Sequence, residues 1–97
     1  MSKSIKVIEF SGESCANCYS LMPVLSSILM NYDDCELVHI EVDKDSIEVI
    51  EKYKIDRVPT ILILKNEEEV GRCRGFQPEE ILAIWLEDKI EKARGSR

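Results

Sequence analysis

The sequence predicts an α/β protein in which four strands and three helices follow one another in the order β-α-β-α-β-β-α. Two apolar runs, Ile5–Phe10 and Cys35–Val42, are each followed by a segment whose apolar residues have helical spacing. Two successive strands separated by a helix indicate a parallel pair joined by a crossover. A third run, Ile61–Leu64, is separated from Glu69–Arg74 only by a charged turn, which predicts a hairpin. The parallel pair and the hairpin together predict a mixed sheet.

Length and composition fit one globular domain. The chain has 97 residues, 44% hydrophobic and 33% charged, and we expect residues 1–97 to form a single domain with its core over about 5–90 and a polar, frayed tail from Glu91. A formal net charge of −6 disfavours nucleic acid and anionic membranes as partners. There is no basic-then-apolar leader and no apolar run of membrane-spanning length, so we expect a cytoplasmic protein whose cysteines are normally reduced. We also expect a monomer.

The first helix is predicted from Cys15 to about Asn31. Pro23 lies inside it, where proline removes one backbone hydrogen bond and kinks the axis. Its apolar side is formed by residues at helical spacing: Leu21, Val24, Leu25, Ile28 and Leu29.

The two later helices are predicted from their start signals and apolar positions. Asp45, or with weaker support Ser46, is expected to cap the second helix, with Glu48 completing a capping box from Asp45. Pro78 is expected at the first position of the last helix. The predicted inward residues are Ile47, Val49, Ile50 and Tyr53 in the second helix, and Ile81, Leu82, Trp85, Leu86 and Ile90 in the last.

The motif that carries chemistry is Cys15-Ala16-Asn17-Cys18, which follows the first strand and opens a helix. Two cysteines three apart in a first helical turn lie on one face and are close enough to form a disulfide. The N–H groups and positive dipole end of the helix stabilise a thiolate, so Cys15 is expected to be the reactive cysteine. A strand–helix–strand context favours redox chemistry. The alternative is half of a zinc site, because a two-residue spacer also suits thiolate ligands.

The chain resembles the thioredoxin family over residues 5 to about 90. The resemblance rests on several separate positions besides the cysteine motif: Pro23, Pro59, Glu9, Asp43, Lys65-Asn66 and Gly75. It implies a minimal thioredoxin fold, a four-stranded mixed sheet with helices on both faces.

The resemblance also implies a thiol–disulfide oxidoreductase with Cys15 as nucleophile and Cys18 as resolving cysteine. Glu9 would be a buried proton shuttle beneath Cys18, exchanging a proton through a water, and His39 would hold its charge or relay that proton. Pro59 would be a cis-proline that, with Val58 and Gly75, binds an extended substrate segment, and Pro23 would support the active-site helix. No cofactor beyond the redox-active disulfide is implied. Electrons would come from a flavoprotein disulfide reductase or similar donor, and the substrates would be disulfide-containing proteins.

Two departures from the family pattern concern partners. Ser11 and Ser14 stand where thioredoxins carry aromatic side chains, which predicts poor docking of a general thioredoxin reductase and a dedicated donor. The competing hypotheses are a redox-responsive binding module without turnover, and a metal-binding protein in which Cys35 and Cys73 join the cysteine pair. We expect those two cysteines to be small buried hydrophobes instead.

Overall fold

The computed structural model describes residues 4–43 and 46–95. These residues form four strands and three helices in the predicted order: β1 (Ile5–Gly12), α1 (Ala16–Leu29), β2 (Cys35–Val42), α2 (Ile47–Tyr53), β3 (Thr60–Lys65), β4 (Glu68–Arg74) and α3 (Glu79–Ala93). The strands make one sheet in the order β2-β1-β3-β4. β1 is parallel to β2 and antiparallel to β3, and β3 is antiparallel to β4. The predicted mixed sheet with a parallel crossover and a hairpin is therefore confirmed.

Helices cover both faces of this sheet, because its central strands are apolar on both sides. On one face, α1 and α3 pack on alternate residues of β1 and β3, which include Val7 and Ile63. On the other face, α2 packs on the intervening residues, among them Phe10, whose ring lies 5.3 Å from that of Tyr53 between centroids. Residues of β1 with odd numbers thus face α1 and α3, and residues with even numbers face α2.

Two strand and helix boundaries differ from the predicted ones near the cysteine motif. β1 continues two residues beyond Phe10, because Ser11 and Gly12 keep pairing with Glu41 and Val42 of β2. Cys15 is the N-cap of α1 rather than its first helical residue.

The predictions for α2 were partly wrong. Ser46 is its N-cap residue, whereas Asp45, the preferred cap, lies outside the described residues. Ile47 was predicted to face inward but is 59% exposed. Val49, Ile50 and Tyr53 pack against the core, and at 100° per residue Ile47 points away from the side that they share.

The predictions for α3 need three corrections. Pro78 is the N-cap residue and Glu79 begins the helix. Ile81 is 54% exposed, because the buried stripe runs through Leu82, Leu86, Ile90 and Ala93, one residue to its side. The predicted frayed tail is helical as far as Ala93, where burial and a 2.6 Å hydrogen bond from Lys65 Nζ to the Ala93 carbonyl hold the last turn.

Candidate active site

One end of the sheet gathers the residues that surround the cysteine motif. Gly12 ends β1 beside Val42 of β2, and on the other side Phe10 pairs with Thr60, the first residue of β3. Pro59 therefore precedes β3 at the level of the last residues of β1. Gly75, which follows β4, donates its N–H to the Pro59 carbonyl oxygen at 2.8 Å. The loop that carries Cys15 leaves the sheet at this same end.

Cys15 and Cys18 are joined by a disulfide, with their Cα atoms 5.3 Å apart. Their surroundings differ, since Cys18 is 3% exposed in the first turn of α1 while Cys15 is partly exposed at the N-cap. The Cys18 N–H donates to Cys15 Sγ at 3.2 Å, so the Cys15 sulfur is the side-chain cap of the helix. Backbone N–H groups and the helix dipole both stabilise negative charge at such an N-cap position.

The segment before β3 is held close to the end of β1. The Val58–Pro59 peptide bond is cis. A Cβ atom on Gly12 would lie only 2.9 Å from Val58 Cγ2. Val58 can therefore approach β1 this closely only because residue 12 has no side chain. Gly75 has a φ of 86°, a left-handed conformation that glycine adopts without steric cost. These two glycines fix the path of the chain around Pro59.

Glu9 is a fully buried carboxyl group with a partner on each oxygen. Ser11 Oγ donates to Glu9 Oε2, and His39 Nδ1 lies within hydrogen-bond distance of Glu9 Oε1, at 2.7 Å. The contact with His39 follows from the sheet register, which pairs Glu9 with His39 directly across β1 and β2. Ser11 is 4% exposed, whereas the His39 side chain is 45% exposed. The carboxyl group therefore connects a buried hydroxyl with an imidazole that reaches solvent.

The burial of Ser11 revises the expected docking surface. The family resemblance predicts Ser11 at the docking surface beside the disulfide, but its side chain points into the protein toward Glu9. Ser14 is exposed and has a φ of 59°. Of the two serines, only Ser14 is exposed at the protein surface.

The remaining cysteines do not join the pair at this site. Cys35 is buried and its Sγ donates to Asp34 Oδ1 at 3.9 Å. Cys73 is half-buried on β4, and burial raises the pKa of its thiol. Within residues 4–43 and 46–95, no three His, Cys, Asp or Glu side chains are grouped so that they could hold a metal ion. The four-thiolate arrangement is thus not found among the described residues.

Pro23 and Asp43, two further positions of the family resemblance, lie in α1 and directly after β2. Pro23 is within α1 on its exposed side. Asp43 follows the last residue of β2. With Glu13 and Glu41, Asp43 lines an acidic groove beside the loop that leads to Cys15.

None of the helices in the described ranges is both long and apolar enough to cross a membrane.

Sequence reasoning missed Ser11 as the partner of Glu9 and Gly12 as the point where Val58 approaches β1. Strand alternation could have identified Ser11, because residues 9 and 11 of one strand face the same side. The role of Gly12 depends on the approach of Val58, which is 46 positions away in the chain and leaves no local signal.

Comparisons with known proteins agree with this geometry. The family model "Thioredoxin" matches residues 1–88. A thioredoxin of Staphylococcus epidermidis is 30% identical over 87 residues, which cover 89% of this chain and 83% of that protein, and a Staphylococcus aureus thioredoxin is 26% identical over the same shares. A mutant thioredoxin from Halobacterium salinarum NRC-1 superposes with a TM-score of 0.76 at 25% identity, covering 90% of this chain and 75% of that one. Chlamydomonas reinhardtii thioredoxin f2 gives the same TM-score at 19% identity, covering 91% of this chain and 82% of that one. At this level of identity the similarity shows the fold alone.

Proposed function

This chain belongs to the thioredoxin family and is a thiol–disulfide oxidoreductase, and from that premise we propose that it reduces disulfides of other proteins. The observation that carries the proposal is the asymmetry of the cysteine pair. Cys15 is partly exposed at the helix N-cap, and Cys18 is buried one turn further on. This difference in exposure supports Cys15 as the cysteine that attacks a protein substrate from solution.

The first step is attack by the Cys15 thiolate on a substrate disulfide. A bond forms between Cys15 Sγ and one substrate sulfur, and the other substrate sulfur leaves as a thiolate that takes a proton from solvent. The helix N-terminus that faces Cys15 Sγ favours the attacking thiolate.

The second step is attack by Cys18 on Cys15 Sγ, which forms the intramolecular disulfide and releases the second substrate thiol. Cys18 must lose its proton as it attacks. Glu9 is proposed as the acceptor, because it is a buried carboxyl group on the sheet face that α1 covers. The net change transfers two electrons from the Cys15–Cys18 dithiol to the substrate disulfide.

The substrate segment is proposed to lie along Val58, with Pro59 and Gly75 forming the adjacent wall. Gly75 is tied to Pro59 by a backbone hydrogen bond, and Val58 is held against Gly12. An extended peptide can pair with backbone at such a sheet end, so that main-chain hydrogen bonds position its cysteine.

The cycle needs an external electron donor and no added cofactor in this chain. A flavoprotein disulfide reductase, or a donor of similar chemistry, would return two electrons to the Cys15–Cys18 disulfide. Ser14 offers that donor a polar contact where thioredoxins carry an aromatic residue, so we propose a donor dedicated to this protein, acting in the cytoplasm on a monomer.

The proposal is tested by trapping. The Cys18→Ser variant, incubated with protein disulfides, should accumulate mixed disulfides on Cys15 that dithiothreitol releases, because the resolving thiol is absent. The Cys15→Ser variant is the matched control and should trap little. Mass spectrometry of the adducts identifies the linked cysteine, and trapping on Cys18 instead would contradict the assignment. The wild type should also reduce a protein disulfide over many turnovers with excess dithiol, and failure to do so would favour a binding module.

A further inference from the structure

Ser11, Glu9 and His39 form a continuous hydrogen-bonded chain from the protein interior to its surface. Ser11 and His39 occupy different oxygens of the Glu9 carboxyl group, so the carboxyl group can receive a proton on one oxygen and give one up from the other. The hydroxyl end of this chain is buried, and the imidazole end is 45% exposed.

The topology places the buried end of this hydrogen-bonded chain at the end of β1 that the first turn of α1 covers. β2 starts again beside Ile5, so α1 must run back antiparallel to β1 over the face that carries the odd-numbered residues. The first turn of α1 therefore lies over the last residues of β1. A strand advances by about 3.3 Å per residue, which brings Ser11 about 7 Å nearer to that end than Glu9. Ser11 and Cys18 are 4% and 3% exposed, respectively.

We infer that the Ser11 hydroxyl is the proton-carrying link between Cys18 and Glu9, and that His39 is the exit to solvent. A hydroxyl can accept one proton while it donates another. At the start, Glu9 Oε1 carries the proton that faces His39 Nδ1, and the imidazole carries its own proton on Nε2. As Cys18 attacks, three protons move together: the Cys18 S–H proton passes to Ser11 Oγ, the Ser11 O–H proton passes to Glu9 Oε2, and the Oε1 proton passes to His39 Nδ1. The imidazole then releases its Nε2 proton to water. The Cys18 sulfur ends in the bond to Cys15 Sγ, and the departing substrate thiolate takes up a proton from solvent.

Few titratable groups lie around the Ser11–Glu9–His39 relay, so their contributions can be separated by experiment. Among the described residues, the other titratable side chains on this sheet face near Glu9 are Glu41 from β2, Cys18 from α1 and Cys73 from β4. β3 contributes Ile61, which is apolar. Glu41 follows His39 on the same face and is exposed, so its substitution serves as a control for charge near the relay.

The inference rests on the proposed reductase cycle, and stopped-flow reaction with a chromogenic aryl disulfide tests the two separately. Attack by Cys15 gives a phase whose rate is proportional to disulfide concentration, and resolution by Cys18 gives a second phase that is independent of it. Ser11→Ala should leave the first phase unchanged and slow the second about tenfold or more, in the range of lost general acid–base catalysis. Ser11→Thr keeps the hydroxyl and should restore the second phase. Glu41→Gln should match the wild type in this second phase, because the phase is intramolecular and does not depend on the encounter with the substrate.

His39 is tested by rescue from solution. His39→Ala should slow the second phase, and imidazole added to the buffer should restore it, because the vacated position is open to solvent. A merely structural role for His39 would not respond to imidazole in this way. This arm also tests the relay if Ser11→Ala fails to fold.

The possible outcomes distinguish the reductase cycle from the Ser11–Glu9–His39 proton relay. A wild type without the first phase would contradict the proposed reductase itself. A normal first phase with an unchanged second phase in Ser11→Ala would overturn the relay and leave the reductase intact. A Ser11→Thr variant that folds but is as slow as Ser11→Ala, or a His39→Ala variant that imidazole does not rescue, would also overturn it.

Discussion

Gly12 shows how a single missing side chain shapes the site. A Cβ atom added there would lie 2.9 Å from Val58 Cγ2, and Val58 is β-branched and fixed beside Pro59. Gly12→Ala should therefore displace Val58, lower the free energy of unfolding by about 1–3 kcal/mol as overpacking does, and weaken substrate reduction. Urea denaturation and the rate of protein-disulfide reduction measure the two effects.

Gly71 supplies the matched control for that substitution. A Cβ atom there would lie 2.8 Å from Lys89 Cδ, but the lysine stem is flexible and can move aside. Gly71→Ala should change stability by about 0.5 kcal/mol or less and leave the reaction rate unaltered. Equal effects of the two substitutions would show that the approach of Val58 to Gly12 has no special role.

At the scale of residues, the sequence identified chemistry better than packing. Cys15, Cys18 and Glu9 stand out locally, as a motif after a strand and as an acid inside an apolar run. Side-chain partners depend on register, which is why Ser11 was first considered as part of a docking surface rather than as the partner of Glu9. Ile81 and Ile47 were placed inward because apolar character alone does not specify which side of a helix meets the sheet.

At the scale of elements, the order and type of all seven were predictable because each has a strong periodic pattern and clear boundaries. The end of α3 was not predictable from the sequence, because Ala93 is held by a long-range contact with Lys65 of β3. A second long-range contact joins α3 to the segment before β2. Arg94 donates from Nε to Asp34 Oδ2 at 2.7 Å and from Nη2 to Asp34 Oδ1 at 2.8 Å.

This two-bond ion pair predicts a pH dependence of stability. The hydrogen bonds from Arg94 lower the pKa of Asp34. A carboxyl group with a lowered folded pKa stabilises the fold at pH values above its unfolded pKa of about 3.9, and this contribution is lost as pH falls through the folded pKa. Asp34→Asn should thus lower the urea midpoint slightly at pH 7, because the pair is largely exposed and screened.

The neighbouring Asp33 provides the control, since it is an exposed residue of the same type. Asp33→Asn should leave the midpoint unchanged at all pH values. The difference between Asp34→Asn and the wild type should shrink as pH falls below the unfolded pKa of about 3.9, and also in 1 M salt. A difference that does not shrink under either condition would show that Asp34 acts through packing rather than through charge.

At the scale of the whole molecule, negative charge should select the partner. The chain carries 19 acidic and 13 basic residues, and Glu13, Glu41 and Asp43 line a groove beside the loop that leads to Cys15. A field of one sign around a reactive site raises the encounter rate of oppositely charged partners, and salt screens this effect. We therefore expect a disulfide peptide flanked by lysines to be reduced faster than a matched peptide flanked by glutamates.

The test compares the two peptides between low salt and about 0.3 M salt, over which the Debye length falls to a few ångströms. The rate constant for the lysine-flanked peptide should fall severalfold and that for the glutamate-flanked peptide should rise. Glu13→Gln combined with Glu41→Gln should reduce both salt dependences. Glu36→Gln combined with Glu87→Gln changes the net charge equally but away from the groove, since Glu36 pairs with Lys6 at the opposite end of β1. If both double variants flatten the salt dependence equally, net charge alone steers the partner and the groove has no local role.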